Sequence, residues 1–345
     1  MSDPPEFTPR AAVKRWLERE RLDKAEQTVI GYRGQLKLFV EYCQREDIDR
    51  LGDVTPWDIQ EFETVRRGED IATVTLRNEL LTLRQFLQHY VSLGVVDEHV
   101  PESIELPKVP REEQTSDTIL ETEAAQNLLE VFREGTTERF GRGHAFLELA
   151  WYTGARMGAI RGLDVEDVDF GEGYVQFRHR PEEDTPLKNA YDGERAVGIS
   201  DDVITALQDY IVEERPDVTD DYGRKPLFAT IHGRASLTTL RKAAYNATLP
   251  CRYGDCPHGK DRETCEWTVA KRSTKCPSSR SPHQIRSGSI TWQLNSGLRA
   301  DVVSERVNAS EDIITMHYDK ADPVEEFRQR RKRHLNKLEI SESEE

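Results

Sequence analysis

No stretch of this chain, 345 residues long, approaches the roughly 18 apolar residues that a membrane-spanning helix needs. Its opening, Met1-Ser2-Asp3-Pro4-Pro5-Glu6, lacks the basic and apolar regions of a secretory signal. A soluble, cytoplasmic protein without a membrane partner is therefore expected. Positive charge is also scarce, with 48 Lys and Arg against 64 Asp and Glu, a net −16. Taken over the whole chain, that balance argues against a polyanionic partner, because phosphate binding needs local positive charge. No internal repeat is visible, and the length suits two domains of about 150 residues each.

The basic residues that are present cluster. Between Cys251 and Arg286 they outnumber the acids eight to four, and Arg328 to Arg333 reads Arg-Gln-Arg-Arg-Lys-Arg. Acids gather elsewhere, from Glu105 to Glu123 and in the tail Glu339 to Glu345. An acidic surface around a basic groove suits a protein kept soluble in concentrated salt, so a halophilic source is expected.

The first hundred residues read as helices. Thr28, Tyr32, Leu36, Phe39 and Cys43 recur at three- and four-residue steps, which predicts one apolar stripe with Cys43 in the core. Thr55-Pro56-Trp57-Asp58 starts another helix: threonine caps it, proline suits the first turn and the aspartate reaches back. Leu76, Leu80, Leu83, Leu87 and Tyr90 form a third stripe, stopped by Gly94. Pro101, Pro107 and Pro110 then mark an extended linker. Beyond it, Leu128, Leu129 and Phe132 carry helical spacing, and a helix through Phe146, Leu149 and Ala150 leads to Arg156. Tyr174-Val175-Gln176-Phe177 and Ala196-Val197-Gly198-Ile199 read as two short strands around a loop holding Lys188. Ser200 with Asp201-Asp202 predicts a helix start.

The chemistry sits in scattered residues: Arg156, Lys188, His283, Arg286 and Tyr318. Two guanidiniums, an ammonium, an imidazole and a phenol have little common use except at a phosphodiester. Arginine's fork binds phosphate oxygens bidentately and stays charged. An imidazole, which ordinarily titrates at about pH 6.5, can take the phenol's proton. The phenol can attack phosphorus and hold the product as a covalent ester.

The string from Leu149 through Thr153-Gly154-Ala155-Arg156 to Asp169 resembles the first arginine motif of the tyrosine recombinases, the phage-integrase and Xer family. Pro282-His283-Gln284-Ile285-Arg286 looks like that family's His-x-x-Arg box, and Arg306 to Tyr318 like its nucleophile segment. The resemblance implies a mainly α fold with a small β-sheet, and with the acidic surface it suggests a haloarchaeal-type member. A helical core-binding (SAM-like) domain would occupy 1–100, a linker 101–117 and the catalytic domain 118–338, with a Cys-rich insertion at 251–280 and an acidic tail at 339–345. It implies a site-specific recombinase or integrase that works through a 3′-phosphotyrosine, on double-stranded DNA, as a homotetramer and without a catalytic cofactor. Lys188 would protonate the departing 5′ oxygen. It is also the sole lysine between Arg156 and Arg195. Two departures stand out: Ala309 occupies the place of a usual histidine, and Ala159 that of a usual acid, with Asn308 or His317 as substitutes. A DNA-binding regulator of the same fold and a type IB topoisomerase are the competing readings.

Four of the five cysteines, Cys251, Cys256, Cys265 and Cys276, fall within one short segment, with His258 among them. In an intracellular chain such clustering favours metal over disulfides, and four thiolates complete a tetrahedral structural zinc site. Free or redox thiols are the alternative.

Overall fold

The computed structural model describes residues 6–110, 113, 118–135, 141–269, 271–318, 324, 327 and 332, without the side chains of 315–318. The chain divides into two compact units, Met1–Ser116 and Asp117–Glu345.

The first unit is helical: α1 (Pro9–Glu20), α2 (Glu26–Arg45), α3 (Pro56–Gly68), α4 (Thr73–Val91) and the single turn α5 (His99–Glu102). The capping box at Thr55 forms as its residues predict: Asp58 N–H donates to Thr55 Oγ1, and Thr55 N–H donates to Asp58 Oδ2. In α2 the stripe begins one residue later than its spacing suggests, because Thr28 is exposed and Val29 is buried. Cys43 lies fully inside, and burial pushes its thiol up to about 12. Trp16, Phe39, Phe62, Leu80, Leu83, Phe86 and Tyr90 fill this core. A Phe86→Ala truncation there costs about 3–5 kcal/mol. Helix α4 ends at Val91, and Gly94 takes the left-handed turn beyond it, with φ +70°.

The second unit is built around α7 (Arg142–Thr153), whose residues from His144 to Trp151 are all buried. Round it lie α6 (Thr122–Glu134), α9 (Asp201–Glu213), α10 (Leu237–Ala247) and α11 (Pro282–Asn295). Short α8 (Met157–Gly162) leads to a three-stranded antiparallel sheet of β1 (Val168–Asp169), β2 (Tyr174–Phe177) and β3 (Arg195–Gly198). A second, two-stranded sheet joins β4 (Ala229–Thr230) to β5 (Gly233–Arg234). The residue pattern had offered two strands, the second at 196–199. It begins one residue earlier because Arg195 pairs with Phe177. Strands β1, β4 and β5, of two residues each, are too short to show alternation. Ser200 precedes α9 as its N-cap, yet its side chain makes no capping bond.

Buried ion pairs tie the two sheets together. Asp164 accepts from Arg234 and lies 3.3 Å from Arg224, while Asp167 accepts from Arg180 at 2.7 Å. Helices α12 (Ala300–Val307) and α13 (Glu311–Tyr318) close the described fold, packed on α11 through Ile290, Leu294, Val303, Val307 and Ile314. Gly288 lets α11 press on the segment before α6: a Cβ there would collide with the Leu120 carbonyl oxygen.

Candidate active site

Helix α7 ends at Gly154 in the left-handed region, φ +60°. A Cβ at that position would lie 2.8 Å from Val307 Cγ1, so glycine is what admits the end of α12. Two residues on, Arg156 is the extended N-cap of α8. Its Nη1 donates to the Asn308 carbonyl at 2.5 Å.

Helix α11 begins with a capping box, Ser281 to Gln284, and Pro282 in its first turn. That start places His283 and Arg286 three residues apart on one face. His283 is exposed, whereas Arg286 is buried. Arg286 Nη1 donates to the Gly154 carbonyl at 2.5 Å and to the Val307 carbonyl at 2.7 Å.

A third guanidinium joins them. Arg195, at the start of β3, stacks over the Phe177 ring at 4.3 Å. Its Nε donates to the Arg306 carbonyl at 2.7 Å and its Nη1 to the Gly193 carbonyl at 2.9 Å. Carbonyls 306, 307 and 308 thus each accept from a different arginine, and the three arginines come from three separate elements. Burial first, then the charges of Arg286 and Arg156, push Arg195 down to about 9. It remains a cation at neutral pH. Cations packed this way favour an anion among them.

Asn308 ends α12 in the left-handed region, φ 53° and ψ 64°. Its Oδ1 accepts from Asn189 Nδ2 at 2.8 Å, which brings the β2–β3 connection to the same turn. Lys188, next in the chain to Asn189, is exposed. Tyr318 is the last residue of α13, and its side chain, like that of His317, lies outside the described residues. The base of its helix is anchored by Ile314, which is 1% exposed. Ala309 packs into the same apolar cluster, and Ala159 lies on α8 one turn after Arg156.

Of the residues singled out by sequence, Arg156 and Arg286 meet at one turn, the Lys188 loop reaches it, and His283 lies on the helix of Arg286. Arg195 was overlooked. Its signal was period-two spacing, which puts it on the same strand face as buried Val197. Among the described residues, no three His, Cys, Asp or Glu side chains are gathered into a group that could hold a metal. The expected zinc cage is therefore not preformed.

A family model described as the phage integrase family matches residues 119–325, well over half of the chain. The chain belongs to that family. A second match, to the phage integrase N-terminal SAM-like domain, covers residues 13–93. The tyrosine recombinase XerC of Oceanobacillus iheyensis is 25% identical over 214 residues, 62% of this chain. The match spans 66% of that relative's own length, just under two thirds. The Tn1549 transposon integrase, solved with a circular intermediate DNA, covers 96% of this chain and 100% of its own at 14% identity, TM-score 0.67. A lambda integrase tetramer bound to a Holliday junction covers 92% and 80% at 13% identity, TM-score 0.60. At these identities the two solved structures establish the likeness of fold alone. No described helix is long and apolar enough to cross a membrane.

Proposed function

We propose that this integrase-family chain is a site-specific DNA recombinase or integrase that cuts and rejoins duplex DNA through a 3′-phosphotyrosine. The observation that carries this reading is the meeting of Arg156 and Arg286 at the turn leading into α13. In the proposed step Tyr318 Oη attacks the scissile phosphorus, and its proton passes to His283. As the new P–O bond forms, the bond to the 5′ oxygen breaks, and Lys188 gives that oxygen a proton. Arg156 and Arg286 hold the non-bridging oxygens, where negative charge grows in the transition state. Rejoining runs the same transfers backward, so no cofactor or net redox change is needed. Double-stranded DNA as partner, and a tetramer on it, accord with the solved relatives bound to DNA and to a Holliday junction. We also place it in the cytoplasm of a halophile, since its net charge of −16 suits concentrated salt.

The deciding experiment incubates the full chain with a nicked duplex that carries its target site and seeks a covalent complex stable to detergent. An adduct on Tyr318 supports the proposal. DNA binding without any adduct would favour a non-catalytic regulator, the reading that Ala309 supports, because its methyl packs in an apolar cluster where the family resemblance expects a histidine. On a supercoiled plasmid, relaxation without strand exchange would favour a topoisomerase.

Lys188 has its own test. A 5′-bridging sulfur leaves without a proton donor, so Lys188→Ala should cleave such a substrate at nearly the unmodified enzyme's rate while remaining slow on ordinary DNA. No rescue by sulfur would give the general-acid role to another residue.

A further inference from the structure

We propose that Arg195 is a positioning residue, one that fixes the Arg306–Asn308 turn, and so the base of α13, against Arg156 and Arg286. The inference rests on the recombinase reading for its consequence, though not for its geometry. Both donating nitrogens of Arg195 named above are spent on backbone carbonyls, one on each side of a narrow gap: Gly193 in the β2–β3 connection and Arg306 in α12. The guanidinium carbon also packs over the Phe177 ring. The Nε bond spans 111 residues of chain, while the Nη1 bond stays within the β2–β3 connection. Gly193 shows how closely the two segments approach, since a Cβ there would meet Asn308 Nδ2 at 2.8 Å. Holding a cation beside two others is unfavourable, so the arrangement is retained only if surrounding packing enforces it. Arginine is suited to the task because its planar fork spans two acceptors while stacking, and an ammonium cannot.

From Arg306 the constraint runs to Asn308 and then through Ile314 into α13, which carries Tyr318. A misplacement of order 1 Å in a reacting group costs about 10²-fold in rate. Arg195→Met should therefore form the covalent adduct at least about tenfold more slowly than the unmodified chain when both are saturated with DNA. Arg195→Lys should recover only part of that loss. Amides 306–314 should exchange hydrogen faster, with the first unit unchanged. Gly193→Ala, which presses on Asn308 without removing a charge, should slow adduct formation in the same way. Unchanged adduct rates and exchange in these variants would overturn the proposal, as would faster exchange spread through both units. If the unmodified chain forms no adduct, the recombinase reading fails, and exchange at 306–314 still decides whether Arg195 fixes the turn.

A separate set of residues carries a second inference. We infer that Cys251, Cys256, Cys265 and Cys276 bind one structural zinc ion by closing around it. Among described residues 250–281, Ser273, Cys276 and Ser279 alone are buried, and none of the apolar clusters reaches into the segment. Its neck is tied where Arg280 N–H donates to Thr248 Oγ1 at 2.7 Å, and little apolar packing holds it beyond. All four thiols are free of disulfides. The chain turns at three of them, with Gly259 N–H on the Cys256 carbonyl, Thr268 N–H on that of Cys265 and Ser279 N–H on that of Cys276. Because no metal-holding group is preformed, binding has to draw them closer and release their protons.

Elemental analysis of the purified full chain should find about one zinc per chain, the ion that four thiolates complete tetrahedrally. Cys43→Ser should leave that value unchanged, and Cys276→Ser should lower it. Chelation should make 251–280 protease-sensitive while the first unit stays intact. Zinc-free protein with a protected loop would overturn the inference, as would full zinc content in a Cys256→Ser, Cys276→Ser variant.

Discussion

Replacing Tyr318 by phenylalanine should abolish the covalent DNA adduct and leave DNA binding unchanged. The substitution removes one oxygen from the end of α13 and nothing from its anchor, since Ile314 and the apolar cluster beneath it are untouched. Affinity for DNA comes chiefly from basic groups on phosphates, and its salt dependence follows their number. A slope of log affinity against log salt that matches the unmodified chain would show that the phosphate contacts survive. The adduct should vanish rather than weaken, because the Tyr318 phenol oxygen is the proposed nucleophile. A residual adduct in Tyr318→Phe, mapped by peptide sequencing to another residue, would move the nucleophile there.

How far the site could be read before the structure depended on where its residues lie in the chain. Arg156 follows a Thr-Gly break after an apolar helix, and His283 and Arg286 sit three apart behind a proline. These are local patterns, legible in one dimension. The helix starts at Thr55 and Pro282 are equally local, because capping is decided within four residues. Arg195 was hidden for the opposite reason. What marks it is contact with carbonyls far along the chain, at Arg306, and with the Phe177 ring across a strand pair. Strands of two residues, such as β1 and β5, are fixed by pairing and by the Asp164 ion pairs, neither of which leaves a periodic trace. Asn308 lies between these cases: asparagine tolerates the left-handed region, but only the fold shows that the turn needs it.

Arg156→Ala and Arg286→Ala should each lower the rate of adduct formation by about 10²-fold or more, as loss of a preorganised charge stabiliser does. The two variants should part in stability. Arg156 is partly exposed, and its bond to the Asn308 carbonyl can be replaced by water. Arg286 is 4% exposed and serves two carbonyls, of Gly154 and Val307. Truncating it strands buried acceptors at about 1–3 kcal/mol each, so Arg286→Ala should also melt earlier. Lysine separates the two effects. At either position an ammonium keeps the charge but not the bidentate fork, so activity should return only in part. At Arg286 a lysine can still reach one carbonyl, so stability should return further than activity. Full activity in Arg286→Lys would show that charge alone suffices there. Equal melting of Arg156→Ala and Arg286→Ala would show that the two carbonyls are not what holds α11 to the ends of α7 and α12.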